Sequence, residues 1–397
     1  MPEAFDHALL TPQYLADPYP FYRELRENAA LYFSRRLNGW VATRYRDVTA
    51  GLLDKRLISG RRVESFCAGL AAGARDEMQP LHRHLGKWIG NMDPPDHTRL
   101  RNLINKAFTP RVVRELSPAI ADITRQLLDT AEARGAMEFV RDFAYPLPAT
   151  VIASMLGVPP SGQAQFIAWA DDLTAYSGSG SADPDLSRAA QKSAAELTRY
   201  FLNMAEQRRR EPVGDLISEL AAVELSEQEL ASMCSFLLVA GHETTMALLS
   251  NGLLALLRNP GQREMLAAEG IRPAVEELLR YDSPIQHQTR VAAESFEFAG
   301  TRVEAGQRVL LMLGAANRDP DQFPDPDRLD LRRDPNRHIA FGLGVHYCVG
   351  APLARLEAQI AFPEILRRFP GIRLREQPLE WRQHTSNRNP LRMELTW

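Results

Sequence analysis

Cysteine is scarce in this chain: Cys67, Cys234 and Cys348 are the only three, and each is more than a hundred residues from the next. No two have the spacing of a zinc or redox motif, and an odd count argues against a disulfide framework. The opening MPEAFDHALLTP lacks the basic and apolar regions of a signal peptide. An uninterrupted apolar run of about 18 residues, the length that spans a membrane, is also missing. Charge of one sign is absent too, since Lys+Arg 47 against Asp+Glu 50 leaves a formal net charge of -3. That balance gives no reason to expect nucleic acid or an anionic membrane as partner. No Gly/Ser linker, fixed-period repeat or low-complexity tract divides the 397 residues. We therefore expect one large domain over 1–397, cytoplasmic and reduced, although a prior of about 150 residues per domain suggests more.

What is present is an ordinary globular composition, 45% hydrophobic and 24% charged, with ample material for a core. Helical periodicity covers about 18–28, 97–108, 113–134, 161–176, 186–210, 226–257, 272–281 and 352–369. Strand-like pieces such as Gly39–Thr43 and Arg308–Met312 are short and far apart in the chain. The pattern predicts a mainly α fold with a small β region. Ser59–Asp93, Ser177–Asp185 and Asn317–Gly344 are the least regular stretches.

The 226–257 segment predicts the longest helix, opened by a capping box of Ser226 and Glu229. Ala240-Gly241-His242-Glu243-Thr244-Thr245 interrupts its apolar run. Glycine there costs about 1 kcal/mol relative to alanine, a threonine hydroxyl competes for backbone carbonyls, and an acid in a core needs water or a partner. Three such choices in one turn predict a local opening that admits a small molecule and water. The His242-Glu243 pair does not make a zinc-protease helix, because the second histidine position is Met246.

The sharpest signal is Phe341-Gly342-Leu343-Gly344-Val345-His346-Tyr347-Cys348-Val349-Gly350, running into the helical Ala351-Pro352-Leu353-Ala354-Arg355-Leu356-Glu357. Pro352 suits the first turn of a helix. Cys348 thus precedes a helix N-terminus, where orphan N–H groups and the positive dipole end favour a thiolate. Gly344 and Gly350 permit close backbone approach to a flat cofactor. An anionic sulfur beside amide donors and an apolar Phe341 suits an axial ligand of haem iron. Cys67 and Cys234 are read as inert thiols.

With these residues, the chain resembles the cytochrome P-450 haem-thiolate monooxygenases in their soluble bacterial form. Glu277-Leu278-Leu279-Arg280 resembles the family's E-x-x-R. Asn317-Arg318-Asp319-Pro320 and Phe323-Pro324-Asp325-Pro326 resemble the approach to the ligand loop, and Asp93-Pro94-Pro95-Asp96-His97-Thr98-Arg99-Leu100-Arg101 resembles the start of a helix under the haem edge. The resemblance implies the cytochrome P-450 fold, with haem between a long central helix and the Cys loop. It implies haem b (iron protoporphyrin IX) on Cys348, whose thiolate donates electron density that favours O–O cleavage. Phe341, Gly342, His346 and Gly350 of the loop, with Ala240 and Gly241 of the long helix, would line the cofactor. His97, Arg101, Arg290 and His346 would bond its propionates, since buried carboxylates need cationic or N–H partners. Glu277 and Arg280 would form a buried structural pair.

The implied activity is O2-dependent hydroxylation or epoxidation of a small molecule. Thr244 would hydrogen-bond dioxygen and Glu243, in place of a commoner aspartate, would relay protons. No flavin or iron–sulfur segment is visible, so two electrons would come from NAD(P)H through ferredoxin reductase and ferredoxin. Arg99, Lys106, Arg111 and Arg355 are candidates for a basic docking face.

For the substrate, the resemblance points to walls from 60–92, 172–190, 236–245, 283–289 and 384–388. Gln286 and His287 are candidate substrate contacts. Arg61, Arg62, His82, Arg83, His84 and Lys87 make one wall basic, which suggests an aromatic acid, a polyketide-derived acid or an acyl group on an acyl carrier protein, and secondary-metabolite tailoring. A peroxide-driven peroxygenase, and a haem-thiolate sensor without turnover, are the alternatives. Retention of Glu243 and Thr244 weighs against both, and an apolar carrier without haem leaves the cysteine loop unexplained.

Overall fold

The structure, a computed structural model, describes residues 3–67, 72–179, 183–376 and 378–397. By internal contacts the chain forms two compact units. The first joins Met1–Leu57, Pro110–Leu147 and Thr244–Trp397, and the second joins Ile58–Thr109 and Pro148–Glu243.

In the first unit, Leu31–Ser34 and Gly39–Ala42 form an antiparallel hairpin, with Leu31 opposite Ala42. Asn38 closes the turn at φ 47, a conformation its short polar side chain tolerates. Gly39–Ala42 then runs parallel to Arg308–Leu311, pairing Trp40 with Val309, and Gln288–Ala292 lies antiparallel on the other edge of that strand. A Cβ on Gly39 would stand 2.7 Å from Leu310 Cδ1, so a larger residue there would force Leu310 to shift. Alternate residues of Val309-Leu310-Leu311-Met312 enter two different cores. Val309 and Leu311 join Val48, Leu52 and Ile339, whereas Leu310 and Met312 join Phe5, Tyr14 and Tyr22. A strand covered on both faces reads as a continuous apolar run rather than an alternation.

The helices of this unit follow the expected pattern in part: 113–134 is divided into Pro110–Glu115 and Ser117–Glu132, and Tyr45–Leu53 and Pro260–Glu269 were not expected. Ser117–Glu132 buries Ile120, Thr124, Leu128 and Ala131, and packs on Ala351–Arg368 together with Ile271–Tyr281. At its end Arg368 Nε donates to Glu132 Oε2 at 2.9 Å.

The second unit is helical. Pro160–Ser179 packs along Pro184–Arg210 through Phe166, Tyr200 and Phe201, with Phe166 and Phe201 edge-to-face at 5.2 Å between ring centroids. Asp183 caps the second of these helices, accepting from Asp185 N at 2.8 Å. The stretch 59–93, read as irregular, instead contains Arg62–Cys67, Ala72–Glu77 and Gln79–Gly86. Helices of little more than two turns leave too short a periodicity to detect. Parts of two candidate substrate walls, 68–71 and 180–182, lie outside the described residues.

The long helix is Glu227–Arg258, 32 residues. Its capping box forms as expected: Glu229 N donates to Ser226 Oγ at 3.2 Å and Ser226 N to Glu229 Oε2 at 3.0 Å. This helix is long and apolar enough to cross a membrane, yet 78% of its most apolar window is buried inside the protein.

Candidate active site

The loop before Ala351–Arg368 is built from backbone hydrogen bonds. Gly342 N donates to Ile339 O at 2.9 Å, Tyr347 N to Gly344 O at 3.1 Å, and Cys348 N to Phe341 O at 3.0 Å. Gly342 and Gly344 both sit at φ 71, where a side chain is strained. Gly344 is exposed, and a Cβ on it would meet Leu53 Cδ2 at 3.1 Å; the turn explains this glycine without a cofactor. Gly350 has an ordinary φ of −80, and its Cβ would rest 3.9 Å from Cys348 Sγ. Cys348 is half-buried, and three residues later the helix begins with Pro352 in its first turn. Cys234 is buried in the long helix, and burial pushes its thiol up, out of the reactive range.

On Ile271–Tyr281, Glu277 and Arg280 are both 0% exposed. Arg280 Nε donates to Glu277 Oε2 at 2.7 Å and one terminal nitrogen to Oε1 at 2.8 Å. The remaining guanidinium hydrogens go to Asn317 O, Pro326 O and Arg328 O. Arg333 Nε stands 3.2 Å from Glu277 Oε2 and Asn336 Nδ2 donates to it at 3.0 Å. The pair therefore fixes the irregular 317–336 segment, in which few residues have regular structure to hold them. Sequence spacing pointed to Glu277 and Arg280 but not to Arg333 or Asn336, whose partner is over 50 residues away.

Arg290 is buried in the strand Gln288–Ala292 and donates to Gln288 Oε1 at 2.8 Å. The Gln288 amide lies against Gly342, 3.0 Å from where a Cβ would be, so Arg290 reaches the ligand loop through Gln288. His346 is half-buried in the turn Gly344–His346. Gln286 is directed elsewhere than expected. Its amide donates to Ser283 O at 2.7 Å and accepts from Tyr22 at 3.0 Å, so both polar atoms face protein. His287 is buried, with Nε2 3.5 Å from Thr385 Oγ1.

In the second unit, His97 is buried in the first turn of Asp96–Ala107. Arg101 follows one turn later on the same face, half-buried, donating to Asn105 Oδ1 at 3.0 Å. The Asp93 carboxylate binds backbone instead, accepting from Ser59 N at 2.9 Å and Gly60 N at 2.7 Å, and so ties the 59–60 turn to the start of that helix.

The Ala240–Thr245 turn does not interrupt the long helix, which is continuous through it. Gly241 is explained by packing, since a Cβ there would stand 3.1 Å from Ile152 Cγ1. Glu243 is buried, and His242 Nδ1 lies 3.0 Å from Leu238 O. Phe236, Ala240 and Thr244, spaced by four, are half-buried together with Val239 and Gly241, while the residues around them in the middle of the helix are buried. Within the first unit, one half-buried thiol before a helix N-terminus and a buried arginine tied to its loop are a donor set that fits a haem thiolate.

The family model for cytochrome P450 matches residues 271–391. Cytochrome P450 107B1 of Saccharopolyspora erythraea is 42% identical over 96% of this chain and 93% of that relative. The chain belongs to the cytochrome P450 family. A second relative, the polyketide biosynthesis cytochrome P450 PksS of Bacillus subtilis, is 39% identical over 92% of this chain and 90% of its own. A crystal structure of P450BioI in complex with hexadec-9Z-enoic acid ligated acyl carrier protein superposes with TM-score 0.90, at 36% identity, covering 98% of this chain and 100% of that one. The protein is a cytochrome P450 monooxygenase, an oxidoreductase of a haem-dependent, O2-using family.

The cations named as a docking face in this P450 are largely engaged. Arg99 pairs with Glu229, Arg111 Nε with Glu115 at 3.0 Å, and Arg355 Nε with Glu276 at 2.7 Å; Lys106 is exposed. In the basic stretch the two histidines lose charge, while the cations Arg62 and Lys87 are half-buried. His84 is buried and held near 4 by burial, His82 is lowered by burial, and Arg62 donates to Gly90 O at 3.2 Å. Arg61 and Arg83 remain exposed.

Proposed function

We propose that this P450 hydroxylates or epoxidises a small organic molecule of the polyketide or acyl type, free or on a carrier protein. The observation that carries the oxidative part is Cys348, presented half-buried at the entrance to Ala351–Arg368 by a loop whose Cys348 N–H is bonded to Phe341 O at 3.0 Å. Cys348 would hold the iron of haem b, with Phe341, Gly342, Gly350, Ala240 and Gly241 against the ring. His97, Arg101, Arg290 and His346 would receive its propionates. When bound, that group supplies reductive O2 activation.

The chain's own residues do the rest. Thr244 Oγ1 holds a proton on the half-buried stretch of the long helix, and Glu243 is the buried acid beside it in sequence that replenishes it from water. Two electrons come from NAD(P)H through a ferredoxin reductase and a ferredoxin, in the cytoplasm. The substrate class rests on relatives named for polyketide biosynthesis and for a complex with acyl carrier protein. His287 is the substrate candidate that remains, because Gln286 spends its amide on Ser283 and Tyr22.

The test is the reduced carbonyl adduct of the haem-loaded protein, followed by NAD(P)H-dependent oxygen uptake with ferredoxin partners. A thiolate-type band and coupled product support the reading; a globin-type band in native protein overturns it. Screening acyl carboxylates against their neutral amides by the substrate-induced spectral shift tests charge recognition, and equal binding removes it.

A further inference from the structure

Beside the Glu277 pair, the first unit holds a second ion cluster that the family pattern did not single out. Glu276, on Ile271–Tyr281, accepts from Arg355 Nε at 2.7 Å and from a terminal nitrogen at 2.8 Å. His338 Nε2 lies 2.9 Å from the same carboxylate. His338 Nδ1 accepts from Ala340 N at 3.2 Å, so Nε2 carries the hydrogen and donates to Glu276. Glu276 thus has three donors, which hold its carboxyl down at about 2 against the opposing effect of burial.

Both ends of the ligand loop meet this cluster. At the entry, the Arg355 guanidinium lies 4.5 Å from the centroid of the Phe341 ring, and His338 is bonded to the backbone just before Phe341. Near the exit, an Arg355 terminal nitrogen lies 3.2 Å from the Tyr347 hydroxyl. Phe341 and Tyr347 themselves are edge-to-face at 6.3 Å, and Phe341 O is the acceptor for the Cys348 N–H. Arg355 and Glu276 side chains are 26% and 29% exposed. A single pair that exposed is worth only about 0–1 kcal/mol, but a two-point fork stacked on a ring and backed by a histidine fixes geometry as well as charge.

We propose that Glu276, His338 and Arg355 are positioning residues that clamp residues 341 and 347 from one side and so hold the Cys348 sulfur in its ligating arrangement. The clamp rests on the haem-thiolate reading given above. It assigns Arg355 to the loop rather than to a partner's docking face. Groups bonded directly to a metal ligand usually matter by about 10–100-fold, and a clamp acting one residue further out is expected at the low end.

The test compares wild type with Glu276→Gln, Arg355→Lys and Tyr347→Phe, each haem-loaded. The first removes the anion, the second keeps the cation but loses the fork, and the third cuts only the link near the loop exit. In moderate urea, the decay of the thiolate-type carbonyl band into a globin-type band is followed alongside far-UV circular dichroism. Expected is decay about tenfold faster in Glu276→Gln and Arg355→Lys, and a smaller acceleration in Tyr347→Phe, while helix content stays native. Lysine failing to rescue Arg355 would mark the fork as the operative element. Band loss coinciding with helix loss in every variant, or a band as durable as wild type's, overturns the clamp. Wild type lacking a thiolate-type band altogether would instead overturn the haem-thiolate reading.

Discussion

Arg280 and Glu277 face each other with no exposure to solvent, joined by two hydrogen bonds of 2.7 and 2.8 Å. Neither has water to fall back on, and three backbone carbonyls depend on the same guanidinium. Arg280→Ala is therefore expected to destabilise by about 3–5 kcal/mol, the cost of stranding one member of a buried pair. Arg280→Lys keeps the charge but supplies fewer donors and is expected to lose most of that stability too. Urea titration followed by circular dichroism checks both; a midpoint unchanged in Arg280→Ala would remove the pair's structural role.

Thr244→Ala deletes one hydroxyl from the half-buried stretch of the long helix. Haem content and the substrate-induced spectral shift are expected to persist, while oxygen uptake diverts into hydrogen peroxide. The ratio of product to NAD(P)H consumed is the measurement, and full coupling would contradict proton delivery through this residue.

His84 makes the 79–92 region sensitive to acid. Its Nε2 lies 2.7 Å from Ser235 Oγ and its Nδ1 3.3 Å from Ser232 Oγ, with Trp88 Nε1 donating to Ser235 at 3.3 Å. Burial lowers it from 6.5 to about 4, so the unfolded chain takes up a proton that the folded one refuses. Stability is therefore complete above about 6.5 and falls as pH drops toward 4, with a slope of up to about 1.4 kcal/mol per pH unit. His384, also lowered to about 4 by burial and then by Arg382, adds a second contribution. His84→Gln is expected to remove one proton's worth of this dependence, read from urea midpoints at pH 7, 6 and 5; an unchanged slope would show that His84 is accessible to protons.

Two glycines of the ligand loop separate cleanly. Gly344→Ala forces a side chain into φ 71, 3.1 Å from Leu53 Cδ2, at a cost of about 1–2 kcal/mol. Gly350→Ala, at φ −80 with 3.9 Å to Cys348 Sγ, is expected to leave the stability of the haem-free protein within about 0.5 kcal/mol. Thermal melts of the haem-free variants distinguish the two, and equal losses would refute the backbone argument.

Most long periodic helices were legible to within three residues of their ends, because an apolar stripe over three or more turns leaves a clear pattern; the exception is 113–134, which is divided into Pro110–Glu115 and Ser117–Glu132. The capping box at Ser226 and Glu229 was legible for the same local reason. The parallel partner of Gly39–Ala42 was not, since nothing in either strand names a segment some 270 residues away in the chain. Of the site, Cys348 and the Glu277–Arg280 pair follow from short motifs. Arg333, Asn336 and His338 had no signal, because each is recruited by a carboxylate through an irregular loop. The glycine at 241 also has a packing reason that the sequence does not show, since it makes room for Ile152 within a continuous helix. Arg355 and His84 looked like surface cations only because sequence does not show what neutralises or buries them.

The parallel pairing of Gly39–Ala42 with Arg308–Leu311 sets a timetable for biosynthesis. The hairpin must wait on the ribosome while some 270 further residues are translated before its permanent neighbour exists. Distant pairings of this sort also slow refolding, so recovery from denaturant should be limited by assembly of this sheet.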